Sequence, residues 1–436
     1  MTTDFILLRS YATLTDFISE VFGWDIPLPL QMFGFFVALA FLAGAYILVI
    51  ELKRKARAGI FQSTPEKVII GEPPKPLEII FNAIFGFIIG FKFIAAIFNW
   101  KTFSENPQVF IFSKEGNIIG GILLAALFAY LKYREKKQQQ LPKPQEKTID
   151  VYPHHRIGDI VVIAAIAGIA GAKIFSNFEE PGGWKNFMED PLGNFFSGLT
   201  IYGGLFLGAA CVIWYAKRKK ISVLHLGDAV APALILAYGV GRIGCQVSGD
   251  GDWGIYNAAY ISNANGEIEI ATDSSFKNSL KQYPKYYMED FEKFDEVPHA
   301  NFKAPSFIPR SWVAQNYAHN VNDDGIPFKE CDEPKCYFLP TPVFPTPIYE
   351  IIMCGIIFSI LWFLRKKWKI PGMLFAFYII LTGVERYFIE TIRVNNVLNF
   401  MGIEATQATF ISVALILFGL GFMIVLKMRN SRIKTA

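Results

Sequence analysis

Apolar residues in this chain fall in long unbroken runs, not at helical or alternating intervals, and polar stretches separate the runs. A helix needs about 20 apolar residues to cross a hydrocarbon core of about 30 Å. On that measure the pattern predicts an all-α polytopic membrane protein of about nine spans. They are Phe33–Leu52, Leu77–Trp100, Ile118–Leu131, Ile160–Phe175, Leu199–Ala216, Leu226–Val247, Ile348–Leu364, Gly372–Ile392 and Ala408–Leu426. The third run is short, so its helix is expected to begin before it. One polar stretch, Ser248 to Pro345, is too long for a simple connection and reads as a small extracytoplasmic head. The N-terminal stretch from Thr13 to Gln31, with Phe17, Val21, Phe22 and Trp24, reads as amphipathic and lying on the outer surface. It lacks the basic start, short apolar core and small-residue cleavage site of a signal peptide.

Composition removes the alternative of a soluble protein with many core helices. Hydrophobic residues make up 52% and charged residues only 18%, which is low for a soluble chain of this length. Net charge is +4, but position matters more than the total. Every second junction is basic: Lys53-Arg54-Lys55, Lys132 to Lys137, Lys217-Arg218-Lys219-Lys220, Arg365-Lys366-Lys367, and Lys427 to Lys434. The positive-inside rule then puts the N-terminus and the head outside and the C-terminus in the cytoplasm. Cys331 and Cys336 fall in the head, where an oxidising compartment would let them pair. Cys211, Cys245 and Cys354 sit within spans and read as packing residues.

The chain also repeats itself. GFKFIAAIFN from Gly90 resembles GAKIFSNFEE from Gly171, and NIIGG from Asn117 resembles TIYGG from Thr200. Both copies run from inside to outside and back, a parallel duplication and not the inverted repeat of many transporters. The expected organisation is an outer-surface segment at 1–32, a first span with an inserted hairpin at 33–150, core spans at 151–247, the head at 248–345, and three C-terminal spans at 346–436.

Charges inside spans cost roughly 2.5–3.5 kcal/mol each on insertion scales and are functional candidates by default. The sixth span surrounds Arg242 with Gly239, Gly241 and Gly244, then ends in a glycine-rich turn holding Asp250 and Asp252. The eighth spaces Arg386, Glu390 and Arg393 at i, i+4 and i+7, on one face of a continuous helix. Arg242 and Arg386 both fall toward the outer side. Two guanidiniums at one depth make a phosphate clamp; the competing account is a structural Arg386–Glu390 pair with Arg393 snorkelling to the interface. Two carboxylates are too few for a metal site. None of the five histidines has ligand spacing: His154-His155 and His225 fall inside, His299 and His319 in the head.

GRIGCQVSGDGDWG, from Gly241 to Gly254, resembles the signature of the prolipoprotein diacylglyceryl transferases. The resemblance runs from about Gly158 to Leu426. It takes in NFMEDPLGNFFSGLTIYGG (Asn186–Gly204), DAVAP (Asp228–Pro232), PTPIYE (Pro345–Glu350), ERYFIETIR (Glu385–Arg393) and Thr406-Gln407, in order. That family usually has seven spans, so the second and third read as an insertion. The resemblance implies a bacterial inner-membrane enzyme that moves the diacylglyceryl group of phosphatidylglycerol onto the lipobox cysteine of a prolipoprotein. Its products are a thioether and glycerol phosphate. The implied partners are phosphatidylglycerol, the prolipoprotein signal peptide and membrane lipids, with no cofactor, no metal and no nucleic acid.

The resemblance also implies residue roles. Arg242 binds the lipid phosphate and Arg386 stabilises the leaving group, or the reverse, with Tyr202 as a third catalytic residue. Gly198, Gly203, Gly204, Ser248, Asp250 and Asp252 join substrate binding, as do Tyr349, Glu350, Glu390 and Arg393. Several positions depart from the family's pattern. Tyr202 stands where a histidine is usual, and a tyrosine, near pKa 10, is a poor base. Cys245-Gln246-Val247-Ser248 replaces the usual Asn-Phe-x-Asn, Phe344 a histidine and Phe33 a tyrosine. A transporter for an anionic substrate is the rival class; it predicts an inverted repeat and charges spread through the membrane depth.

Overall fold

The computed structural model describes residues 9–24, 30–105, 107–189, 191, 194, 198, 200–272, 274–288, 291, 293–331, 335–394, 397–400 and 403–435. Leu199, residues 25–29 of the N-terminal stretch, and Asn395-Asn396 lie outside them. In chain order the main elements are α1 (Leu14–Phe22), α2 (Met32–Arg57), β1 (Thr64–Ile70), α3 (Pro76–Phe98), α4 (Ile118–Gln139) and β2 (Gln145–Val151). There follow α5 (Ile157–Glu179), α6 (Ile201–Arg218), α7 (Val223–Ser248), α8 (Thr346–Leu364), α9 (Met373–Glu390) and α10 (Gln407–Thr435).

Helices α2 to α10 stand where the apolar runs predict spans, but α4 does not begin before its run: Asn117 caps it at Ile118, and it gains its length past Leu131 instead. Among the described residues, six candidate membrane spans are long and apolar enough: α2, α3, α5 with its preceding turn, α7, α8 and α10. The chain is thus a multi-pass helical membrane protein. Helices α4 and α9 carry more charge within the same length, Lys132, Arg134 and Glu135 in one and Glu385, Arg386 and Glu390 in the other, while α6 ends on Lys217 and Arg218. The chain divides into two compact units, one of Met1–Glu51 with Leu224–Ala436 and one of Leu52–Val223.

The second unit is the duplication made visible. Helix α3 packs on α4, and α5 on α6. A Cβ on Gly90 would sit 2.3 Å from the Gly120 carbonyl oxygen; one on Gly171 would sit 2.4 Å from that of Gly203. Small residues let helix backbones meet this closely where lipid offers no hydrophobic drive. The hairpin turns match too: Asn117 N–H donates to Phe91 O at 2.8 Å, and Thr200 N–H to Ala172 O at 3.1 Å. A strand precedes each hairpin, EKVI at Glu66–Ile69 and EKTI at Glu146–Ile149, and the two strands pair antiparallel. The register puts Glu66 opposite Ile149 and Ile69 opposite Glu146, so exchanging the copies leaves the pairing unchanged. This ribbon is one departure from a purely helical chain.

In the first unit, Ala231 and Ile235 of α7 pack on Cys354, Ile357 and Leu361 of α8 and Leu374 of α9. The buried Asp228 carboxylate accepts from Gly372 N–H at 2.9 Å and Phe375 N–H at 3.1 Å, capping α9 from a neighbouring helix. Gly383 lets α9 approach Ser412 of α10, where a Cβ would meet the carbonyl oxygen at 2.9 Å. The described residues between 249 and 345 form short two-stranded sheets, a second departure, around Tyr256, Phe276, Tyr287, Tyr317 and Leu339, and Val397–Phe400 pairs with Ile403–Thr406 as a third. Cys331 and Cys336 are joined by a disulfide. Gln246 on the last turn of α7 donates to Gln315 and accepts from the Tyr317 hydroxyl, which ties that helix end to this segment.

Candidate active site

Helix α7 delivers Arg242 one and a half turns before its end, and its glycines decide what can come near. A Cβ on Gly239 would lie 2.9 Å from Cys354 Cβ, and one on Gly244 the same distance from Phe36 Cβ. Both glycines therefore admit neighbouring helices, α8 and α2. A Cβ on Gly241 would meet nothing within 4 Å, so open space beside the arginine is found there.

Beyond α7 the chain turns through Gly249 and Gly251, both at positive φ, where glycine carries no steric cost. The turn is stitched to two helix ends. Asp252 O accepts from the Thr346 hydroxyl at the start of α8 at 2.5 Å. Ile255 N–H donates to Ile392 O, just past α9, at 2.9 Å. That stitching brings side chains from three helices and a loop into one string. Arg386 Nη2 lies 3.4 Å from Glu390 Oε2, and its Nη1 3.9 Å from Glu350 Oε1. Arg242 Nε is 2.9 Å from Glu350 Oε2, and its Nη1 bonds Asp252. Arg393 Nη2 reaches the other Asp252 oxygen at 2.5 Å. The order Glu390, Arg386, Glu350, Arg242, Asp252, Arg393 alternates sign at every step.

Burial demands such pairing, since an isolated charge away from water costs several kcal/mol even after relaxation. The Glu350 side chain is fully buried, while that of Arg386 is 27% exposed against 11% for Arg242. Arg386 is therefore the accessible guanidinium, and its two carboxylate contacts are long. Burial alone would raise the Asp252 carboxyl, but Arg242 and Arg393 beside it hold it below the ordinary carboxylate range.

Helix α9 ends at Glu390, so Arg393 does not continue its face. The i+7 spacing holds in sequence and fails in space; Arg393 joins the site through a strand-like bridge to Gly254 and is held by Asp252, where snorkelling was the alternative. The Arg386–Glu390 pair exists, as one link of the longer string. Ser248 is fully buried and donates to Gly244 O at 2.8 Å. Tyr349 donates its hydroxyl to Trp312 O at 2.6 Å, outside the string. Tyr202, Gly198, Gly203 and Gly204 belong to the second unit. There Gly203 and Gly204 seat α6 on α5, and Gly198 holds positive φ beside Glu180.

Two members escaped the sequence. Tyr238, one turn before Arg242, accepts from Arg242 Nε at 3.2 Å and donates to Glu350 Oε1 at 2.8 Å. Its i−4 spacing was the available signal. Glu385, 3% exposed, faces inward beside Arg386, and only adjacency to that arginine marked it. Cys245, Asp250 and Asp252 put a thiol and two carboxylates within 4.8 Å of one another. That set does not suit a cation, because two guanidiniums already occupy Asp252.

A family model described as prolipoprotein diacylglyceryl transferase matches residues 143–425. The match starts at β2, so α3 and α4, the first copy of the repeat, lie outside it. A phosphatidylglycerol--prolipoprotein diacylglyceryl transferase 2 of Clostridium perfringens is 37% identical over 101 residues, 22% of this chain and 38% of that relative. The enzyme of that name from Streptococcus uberis is 25% identical over 70% of this chain and 87% of its own length. Its counterpart in Streptococcus pyogenes serotype M5 is 25% identical over 62% and 78%.

Proposed function

The chain belongs to the prolipoprotein diacylglyceryl transferase family, and from that premise we propose that its arginine string carries the transfer of a diacylglyceryl group from phosphatidylglycerol to a prolipoprotein thiol. The observation that supports this best is the accessible, loosely held Arg386 next to the tightly held Arg242. The phosphate that is bound is also the phosphate that leaves, so both guanidiniums act on one group. As sulfur attacks the glyceryl carbon, the C–O bond breaks and charge gathers on the phosphate oxygens. Preorganised guanidiniums stabilise that charge without moving. Arg242, fixed by Glu350, Asp252 and Tyr238, meets the preorganisation requirement. Arg386 has donors to spare for the incoming lipid. Gly241 leaves room for the headgroup.

The test is direct. Phosphatidylglycerol labelled in its acyl chains and in its headgroup is given to the protein in detergent with a lipobox peptide. Acyl label is expected on the peptide cysteine through a thioether, with headgroup label released as glycerol phosphate. Labelled lipid crossing a vesicle membrane unchanged, with the peptide unmodified, would replace this reading with a transporter.

The finer topology belongs to the same proposal. All nine helices cross the inner membrane, with the N-terminus and residues 248–345 outside and the C-terminus in the cytoplasm. The acceptor enters as the signal peptide of a prolipoprotein, with its lipobox cysteine at the outer side. In intact cells an impermeant thiol reagent should modify Phe307→Cys and spare Lys366→Cys. Phe307 is 82% exposed and suits the purpose, whereas Asn320 in the same segment is fully buried. Modification of position 366 with 307 spared would reverse the orientation.

A further inference from the structure

Transfer to a thiol needs a group that accepts the thiol's proton, because a cysteine near pKa 8.5 is mostly protonated at neutral pH. The ion-paired carboxylates are already engaged, which leaves Asp250 and Glu385, each with a buried oxygen lacking a hydrogen-bond partner, and of the two Asp250 lies in the turn with Asp252. Asp252 is committed to two guanidiniums, Glu350 to two and Glu390 to one. Asp250 has no arginine ion pair among the described residues, and its Oδ1 is buried without a hydrogen-bond partner. It lies in the turn after α7, two residues from Asp252, which places its backbone within about 7 Å of the residue that fixes Arg242. A thiol already stands against its carboxylate, that of Cys245. The groups facing Asp250 are Asp252 in its own turn, Arg242 and Cys245 on α7, and Tyr317 from the segment above.

We propose that Asp250 is the general base that takes the proton from the acceptor thiol. The proposal rests on the transfer reading and adds a step to it. The S–H proton passes to the Asp250 carboxylate while sulfur bonds to the glyceryl carbon. The C–O bond breaks, its electron pair leaves with the phosphate toward Arg242 and Arg386, and Asp250 then returns its proton to water. Burial, with Asp252 adding to it, raises the Asp250 carboxyl above the ordinary range and toward the working pH, where a base is most effective. Asp252, two residues away, is pushed the other way, and such divergence between neighbouring carboxylates is how acid–base roles are separated.

Asp250→Asn keeps the shape and removes the base. With a cysteine peptide, kcat should fall by about 10²–10⁴-fold. The remaining rate should climb with pH toward the thiol's own pKa in place of the wild-type profile. With a selenocysteine peptide, already ionised at neutral pH, the same variant should stay within several-fold of wild type. Asp250→Glu should restore much of the cysteine rate, with a shifted acid limb. Equal loss on both nucleophiles, or an unchanged profile on cysteine, would overturn the role. Should the wild-type protein form neither a thioether with the cysteine peptide nor a selenoether with the selenocysteine peptide, the transfer reading falls and takes this step with it.

Discussion

Arg242→Ala and Arg386→Ala should each cut thioether formation by a factor of hundreds, corresponding to about 3–4 kcal/mol of transition-state stabilisation. The two reach that result differently. Arg386 is the more exposed and its carboxylate contacts are long, so on the proposed reading its loss removes a donor to the lipid phosphate. Arg242 is held by Glu350, Asp252 and Tyr238, so its loss also leaves two carboxylates beside an anionic substrate with one arginine each. Arg242→Lys should fail as well, because an ammonium cannot present a two-pronged planar contact. Arg393→Ala should do less: it leaves Asp252 with one partner and leaves both phosphate-binding guanidiniums in place. Initial rates on a lipobox peptide, with folding verified in parallel, decide the matter. A folded Arg242→Ala protein working near the wild-type rate would reduce the string to a structural device.

Glu350→Ala should destabilise the folded protein by about 3–5 kcal/mol, the range for removing one partner from a buried pair. Glu350 is the most enclosed link, with its side chain fully buried between Arg242 and Arg386 and an oxygen accepting from Tyr238. Without it, among the described residues, Arg242 Nε keeps the Tyr238 hydroxyl as a partner and Arg386 keeps Glu390. Denaturant unfolding in detergent micelles measures the loss. An unfolding midpoint equal to wild type would mean that the string does not hold α7, α8 and α9 together.

The helices were legible because membrane spans announce themselves by length and apolarity, a local property of the chain. The arginines were legible for a related reason, since a charge in an apolar run stands out. What could not be read depends on where distant segments meet. The i+7 spacing of Arg393 suggested a helical face, but α9 stops at Glu390 and a bridge to Gly254 brings Arg393 back. Asp252 looked like one of two equivalent acids; its two arginine partners come from α7 and from beyond α9. Gly239 and Gly244 stood out as glycines around Arg242, but that they seat α8 and α2 depends on Cys354 and Phe36, far off in the chain. The repeat was visible in its glycines, while the strands preceding each copy were not, because seven-residue segments such as Gln145–Val151 are largely polar and gain a partner only across about 80 residues.

That ribbon has a consequence for the duplicated hairpins. A contact that is unchanged when its two sides are exchanged is isologous, the kind that joins identical subunits about a two-fold axis. Glu66 against Ile149 and Ile69 against Glu146 are the same contact made twice. One copy of the hairpin with its strand thus carries a complete self-complementary edge. Two separate molecules of it could pair in the register that this chain makes within itself. Joining them in one polypeptide turns a concentration-dependent association into a fixed one. It also frees the two copies to diverge, so that Glu66 now serves Arg156 and Lys219 while its counterpart Glu146 pairs with Lys67.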